Sequence, residues 1–273
     1  MRVTLSDAVR ITIAYADIFD YRLSEEELRF WCVYRVLLKR FVHHNNHQRP
    51  THNWVSSRRK WKIAGSLWWL RLLPTIECIG VTGALAMNNA DVHDDIDFLI
   101  ITKSGTLWTT RLIVTFLLDL FHLRRRPGDH KFKDKICLNM FMSSDALAIP
   151  SKERDLFTAH EVLQMKPLWD RDGTYQKFLK ANRWVEKFLP TAWRETYYAS
   201  RVKHQQTRSL LRFLEPIAKF LQLWYMRKRR TTEVVSDTII RFHPVDAREW
   251  IYRELQKRLR ATKIPLDNIF YGR

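Results

Sequence analysis

The chain has 273 residues, 46% of them hydrophobic, which is enough to bury a sizeable core in one large or two small domains and excludes a disordered polyelectrolyte. Lys and Arg number 47 against 29 Asp and Glu, a net charge of +18, which points to a polyanionic partner: nucleic acid, a membrane surface or a phosphorylated substrate. The three cysteines, Cys32, Cys78 and Cys137, lie far apart in apolar runs, which excludes a disulfide framework and predicts reduced core residues in a cytoplasmic protein.

No signal peptide is expected, because the chain opens on an amphipathic pattern. Residues 3 to 19 carry apolar side chains at helical spacing, with Ser6 as the expected N-cap. After a break at Asp20-Tyr21-Arg22, Ser24 and Glu27 form a capping box that opens a second helix to about Tyr34, and a third runs to about Phe41. Helix, turn, helix, helix in this order resembles a winged-helix module or, equally, a small helical cap packed on the next domain. The segment from Val42 to Trp54 lacks the Gly turn that a wing hairpin needs, so the wing is degenerate or missing. His43, His44, His47 and His52 have no acids or cysteines among them and read as loop residues.

A basic helix starts at Ser56 and runs through Trp68 and Trp69 to Leu73, where Pro74 ends it. Trp68, Trp69, Leu72 and Leu73 are expected to pack on a sheet, a membrane-surface role being the alternative. Strands are predicted at Thr75 to Thr82, Asp95 to Thr102 and Asp134 to Met142, with a helix from Thr106 to Phe121 between the second and third. The apolar stretch from Leu107 to Leu123 contains Arg111, Asp119 and His122, too short and too charged to span a bilayer. From Ser151 onward the pattern is helical: a helix to Pro167, another from Thr174 to Phe188, and a basic one in 201 to 230 with an apolar stripe through Leu210, Leu214, Ile217, Leu221 and Trp224. That stripe is expected to pack on the core, with binding to nucleic-acid backbone or to an anionic membrane as the other readings. Residues 232 to 242 are strand or irregular, and a final helix follows His243-Pro244. Three regions result: a helical module at 1–55, a sheet core at 56–150 and a helical extension at 151–273.

Chemistry concentrates at Asp95 and Asp97. Two residues apart on a strand, they share a face at about 7 Å between Cα atoms, and paired carboxylates suit a hard divalent cation. Gly83-Ala84, a ten-residue gap and Asp95-Ile96-Asp97 resemble the signature of the polymerase-beta-like nucleotidyltransferase superfamily. The resemblance covers about residues 70 to 145 and extends to bacterial members with a helical N-terminal module. It implies an α+β fold with a small mixed sheet. It implies that Gly83 and Ala84 hold a nucleoside triphosphate through backbone amides, and that Asp95 and Asp97 are the catalytic ligands of Mg²⁺ or Mn²⁺. Lys103 and Lys135, with Arg111 and Lys133, are candidates for phosphate contacts, and RNA or DNA for the polyanionic partner.

The sequence departs from the family twice. Ala84 stands where Ser or Gly is usual, so a hydroxyl contact is lost while the backbone contact survives. The third strand carries no acid; Asn139 stands where one is expected, flanked by Asp134 and Asp145. Two functions follow: an enzyme that moves a nucleoside monophosphate to an acceptor hydroxyl, or an inactive nucleotidyltransferase fold that binds nucleic acid or regulates. His160-Glu161 resembles a catalytic pair in isolation but reads as structural on a helix.

Overall fold

A computed structural model describes residues 4–33, 53–126, 128–200, 210–227, 234–241, 247–260, 262, 264 and 266–272. The helix expected after Tyr34, the histidine cluster, most of the basic run after 200 and the start of the last helix lie outside them. In chain order the elements are α1 (Leu5–Asp17), α2 (Glu25–Trp31), α3 (Trp54–Ser66), β1 (Ile76–Val81), α4 (Gly83–Ala86), β2 (Ile96–Thr102), α5 (Leu107–Leu120), β3 (Ile136–Ser143), α6 (Leu156–Gln164), β4 (Lys166–Asp170), α7 (Thr174–Ala181), α8 (Pro190–Ala199), α9 (Glu215–Met226), β5 (Val234–Val235), β6 (Ile239–Arg241), α10 (Ala247–Leu259) and α11 (Leu266–Phe270). The fold is α+β.

The six strands form one mixed sheet in the order β4-β1-β2-β3-β6-β5, with only β2 and β3 parallel. Alternation along β2 splits the core. Phe98 and Ile100 face a layer formed by α3, α4, α5 and α9, while Leu99 and Ile101 face one built from the remaining helices. Asp97 shares the face of Leu99 and Ile101, so it looks toward α1, α2 and α6.

The sequence expectations hold for β1, β2, β3 and α5 to within two residues. The cap of α1 is Thr4, which exchanges hydrogen bonds with Asp7, and Ser6 lies inside the helix. Ser24 and Glu27 form the expected box. The helix through Trp68 breaks at Ser66, and the 3₁₀ turn that follows leaves Trp68 and Leu72 exposed while Trp69 and Leu73 pack on the core. The region after 150 is not wholly helical: it supplies β4, β5 and β6. Pro167 lies within β4, an edge strand that tolerates a residue without an N–H. Gly80 lies opposite β4, where an added Cβ would meet Met165 Cε at 2.2 Å and require that side chain to shift. The helix expected from Thr174 to Phe188 stops at Ala181, where buried Asn182 turns its amide to Leu147 O, 2.7 Å away, and accepts from Ile149 N at 2.8 Å.

One buried charge fastens the loop before β2. Lys60 on α3 has its side chain 1% exposed, and its ammonium donates to Asp94 O at 2.5 Å and Asp134 Oδ1 at 2.9 Å. Asp134, at φ +60°, also pairs with Arg59 at 2.8 Å. A buried ion pair that loses one partner leaves an uncompensated charge. Lys60→Met is therefore expected to cost about 3 kcal/mol of stability in urea unfolding, and Asp134→Asn in the same chain, which removes the orphaned charge and tolerates φ +60°, to restore part of it.

Candidate functional site

The site is assembled at the mouth of β2. Asp95 precedes the strand and Asp97 is its second residue. The parallel register sets Cys137 of β3 opposite Asp97, and an irregularity in β3 between Cys137 and Met140 carries Asn139 past it. One ligand atom from each of Asp95, Asp97 and Cys137 lies within 4.8 Å of the other two. The position expected for Asn139 is thus held by Cys137. Asn139 is buried beside a second cavity lined by Thr82, Glu161 and Arg241.

The alternatives to a third acid are used elsewhere. Asp134 is bound by Lys60 and Arg59. Asp145 accepts from Ser104 at 2.6 Å, beyond the far end of β2, and Ser143 also donates to it. Lys103 lies just past that same end, roughly 20 Å from Asp97 at the rise of an extended strand, so it cannot share a phosphate with the aspartates. Burial holds its ammonium below the usual lysine range. Arg111 is on α5, engaged with Gln222. Lys133 lies exposed in the loop before β3. Lys135 is next to the site, its ammonium on His122 O.

The glycine turn meets the acids. Thr82 N donates to Asp97 O at 3.0 Å, continuing the β1–β2 ladder, and Gly83 then turns at φ +65° into α4. A Cβ at Gly83 would come within 2.7 Å of Asp97 Oδ2. Only glycine satisfies both the backbone angle and the close approach. The first N–H groups of α4 have no acceptor within the helix.

Two side chains that the sequence reading left aside belong here. Arg125 Nη1 lies 2.7 Å from Asp95 Oδ2, and its guanidinium covers the Phe132 ring at 4.3 Å. Its backbone is held by Ile136 O at 2.9 Å, so the edge of β3 aims it. The signal in the sequence was the run Arg124-Arg125-Arg126, from which nothing picks out the middle residue. The second is Glu161 on α6, whose carboxylate has no hydrogen-bond partner among the described residues. It lines both the Asn139 cavity and one of about 450 Å³ whose walls include Tyr15, Phe19, Tyr21, Trp31, Gly83 and Ala84. Its neighbour His160 is a core residue: it stacks on Tyr15 at 4.1 Å, and burial lowers its pKa to about 3.

Charge is compressed at this mouth. Burial, then the Asp95 carboxylate, pushes Asp97 up to about 7, while the Cys137 hydrogen bond pulls it back part of the way. Burial alone carries Glu161 to about 7. Burial and the two aspartates hold the Cys137 thiol protonated. Two carboxylates with a neutral thiol suit a hard divalent cation at two oxygens, whose other ligands come from substrate and water; the thiol itself is a poor ligand for Mg²⁺. The residues therefore fit Mg²⁺ or Mn²⁺ at a single position.

No protein-family model and no curated protein matches this chain.

Two outcomes are expected. The folded state keeps protons on Asp97 and Glu161 that the unfolded chain has lost between roughly pH 4 and 7. Stability therefore falls as pH rises through that window and levels off above it; Asp97→Asn should flatten the slope and raise Tm at alkaline pH by several degrees in thermal scans. A cation must displace the Asp97 proton, so Mn²⁺ affinity, followed by its EPR signal, should rise as pH approaches 7 and then plateau. Affinity independent of pH would place the ion elsewhere.

Proposed function

We propose that this chain is a metal-dependent nucleotidyltransferase with a polymerase-beta-like core, which moves a nucleoside monophosphate from a nucleoside triphosphate to an acceptor hydroxyl. The observation that carries the reading is the approach of Gly83, at φ +65°, to Asp97 Oδ2 with Asp95 alongside. A glycine turn beside two carboxylates at one strand end suits such a transfer.

Asp95 and Asp97 would hold Mg²⁺ or Mn²⁺, which would supply neutralisation of charge on the α-phosphoryl group. Gly83 and Ala84 offer backbone N–H groups to the triphosphate. Arg125 orients Asp95 through the 2.7 Å ion pair. An acceptor oxygen forms a bond to the α-phosphorus, the bond to pyrophosphate breaks, and the acceptor proton goes to a carboxylate. Glu161 is that carboxylate in this reading. It is close enough to raise the pKa of Asp97, it faces the cavity beside Gly83, and it is half-ionised near neutrality. It takes the part left vacant by the missing acid on β3. The cavity walls combine aromatic rings with the acids Asp20, Asp91 and Glu161, and no Lys or Arg is among the described residues that line them. This supports a small acceptor with an apolar body over an RNA backbone.

The test is transfer of label from NTPs to small hydroxyl compounds and to RNA, with Mn²⁺ present. Asp95→Ala/Asp97→Ala should abolish transfer. Glu161→Gln should lower it by roughly 10²- to 10⁴-fold while leaving Mn²⁺ binding intact. The absence of an acid from β3 favours a second reading, an inactive fold that binds nucleic acid. No transfer with any NTP, together with salt-dependent nucleic-acid binding that ignores the aspartate substitutions, would establish that reading instead.

A further inference from the structure

α9 is turned the opposite way from an ordinary amphipathic surface helix. Its buried positions are Ala218, Gln222 and Met226, while Phe213 just before it (71% exposed), Phe220 (69%) and Trp224 (71%) project into solvent with Ile217 and Leu221. Of the stripe expected to pack on the core, Ile217, Leu221 and Trp224 thus face outward and Leu214 is half-buried, and polar contacts fasten the helix. The Glu215 carboxylate accepts from Trp108 N at 2.8 Å and Thr109 N at 2.9 Å, capping α5, and Gln222 donates to Trp108 O at 2.7 Å. Near the other end, Tyr225 lies close enough to Arg126, beyond the C-terminus of α5, to interact with it electrostatically. α9 therefore runs alongside α5, which itself exposes Phe116, Leu120 and Phe121. The Phe121 ring meets Trp69 at 5.9 Å, and Trp68 and Leu72 of the same 3₁₀ turn are also exposed. An aromatic surface of this extent marks an interaction site.

We propose that the α5–α9 face docks this protein on an anionic lipid surface. Rings of Trp, Tyr and Phe with basic residues at their margin are the composition that settles at the headgroup boundary. Exposed Arg212 and Arg227 flank the stripe, and Arg71 lies over Trp68 at 5.2 Å. Charge decides between the two natural occupants. A second copy would bring another +18 body against this face and be repelled, whereas an anionic bilayer attracts it. Docking is peripheral, because no helix among the described residues is long and apolar enough to cross a membrane. The inference is independent of nucleotidyl transfer and involves none of its residues.

Vesicle flotation tests it, using the full chain with phosphatidylcholine alone or mixed with roughly one-third phosphatidylglycerol. The protein should float with the mixed vesicles and not with the neutral ones, and raising NaCl from about 0.1 M to 0.5 M should reduce the bound fraction severalfold. Phe220→Ser/Trp224→Ser alters only solvent-facing side chains, so circular dichroism and Tm should stay unchanged while lipid binding drops at least tenfold. Flotation with neither vesicle, equal flotation with both, or a double variant that floats like the parent overturns the proposal. So does a dimer in sedimentation equilibrium that the double variant dissociates, which would assign the face to a second copy.

Discussion

Asp97 is half-buried and has a second carboxylate, Asp95, as its neighbour, and the surrounding structure is arranged to tolerate this. Like charges at that spacing in a poorly hydrated pocket cannot both ionise freely, so Asp97 holds its proton up to about pH 7. Among the described residues Arg125 supplies a counter-charge, from a strand edge whose backbone is bonded to β3. Gly83 supplies space, since any Cβ would intrude on the carboxylate. Lys60 holds the preceding loop from below, with its own charge matched to Asp134. A fold rarely keeps two acids under such compression without use for them, and perturbed carboxylates in a cleft are the usual mark of a functional centre.

The same sheet separates two kinds of surface. On one face, the helices from both ends of the chain close over β2 and enclose the aromatic cavity and Glu161. On the other, α5 and α9 cover the sheet with small and polar contacts and turn their large rings outward.

Much of this was legible in the residues. The apolar runs of β1, β2 and β3 and the helix between β2 and β3 announced themselves by period, and the Gly83 turn with Asp95 and Asp97 by spacing. What escaped has physical causes. β4 was hidden because Pro167 reads as a terminator and only an edge position makes it tolerable. β5 and β6 are two and three residues long, too short for any period. Cys137 rather than Asn139 faces Asp97 because the parallel register pairs the two strands at that step, which alternation within either strand cannot foresee. Arg125 and Glu161 come from 30 and 66 residues beyond Asp95, and no local pattern links them to it.

The sequence by itself determined the α+β class, the central strands, the glycine turn and the pair of aspartates, because each rests on near-neighbour sterics, hydrophobic period or side-chain chemistry. Only the tertiary structure decided which guanidinium neutralises Asp95, which carboxylate faces the cavity, that Lys103 is a strand's length from the site, and that α9 shows its apolar side to solvent. Those depend on register and helix rotation. Both are set by the packing of distant segments, here by Glu215 and Gln222 anchoring α9 to α5, against the direction in which hydrophobicity alone would have turned it.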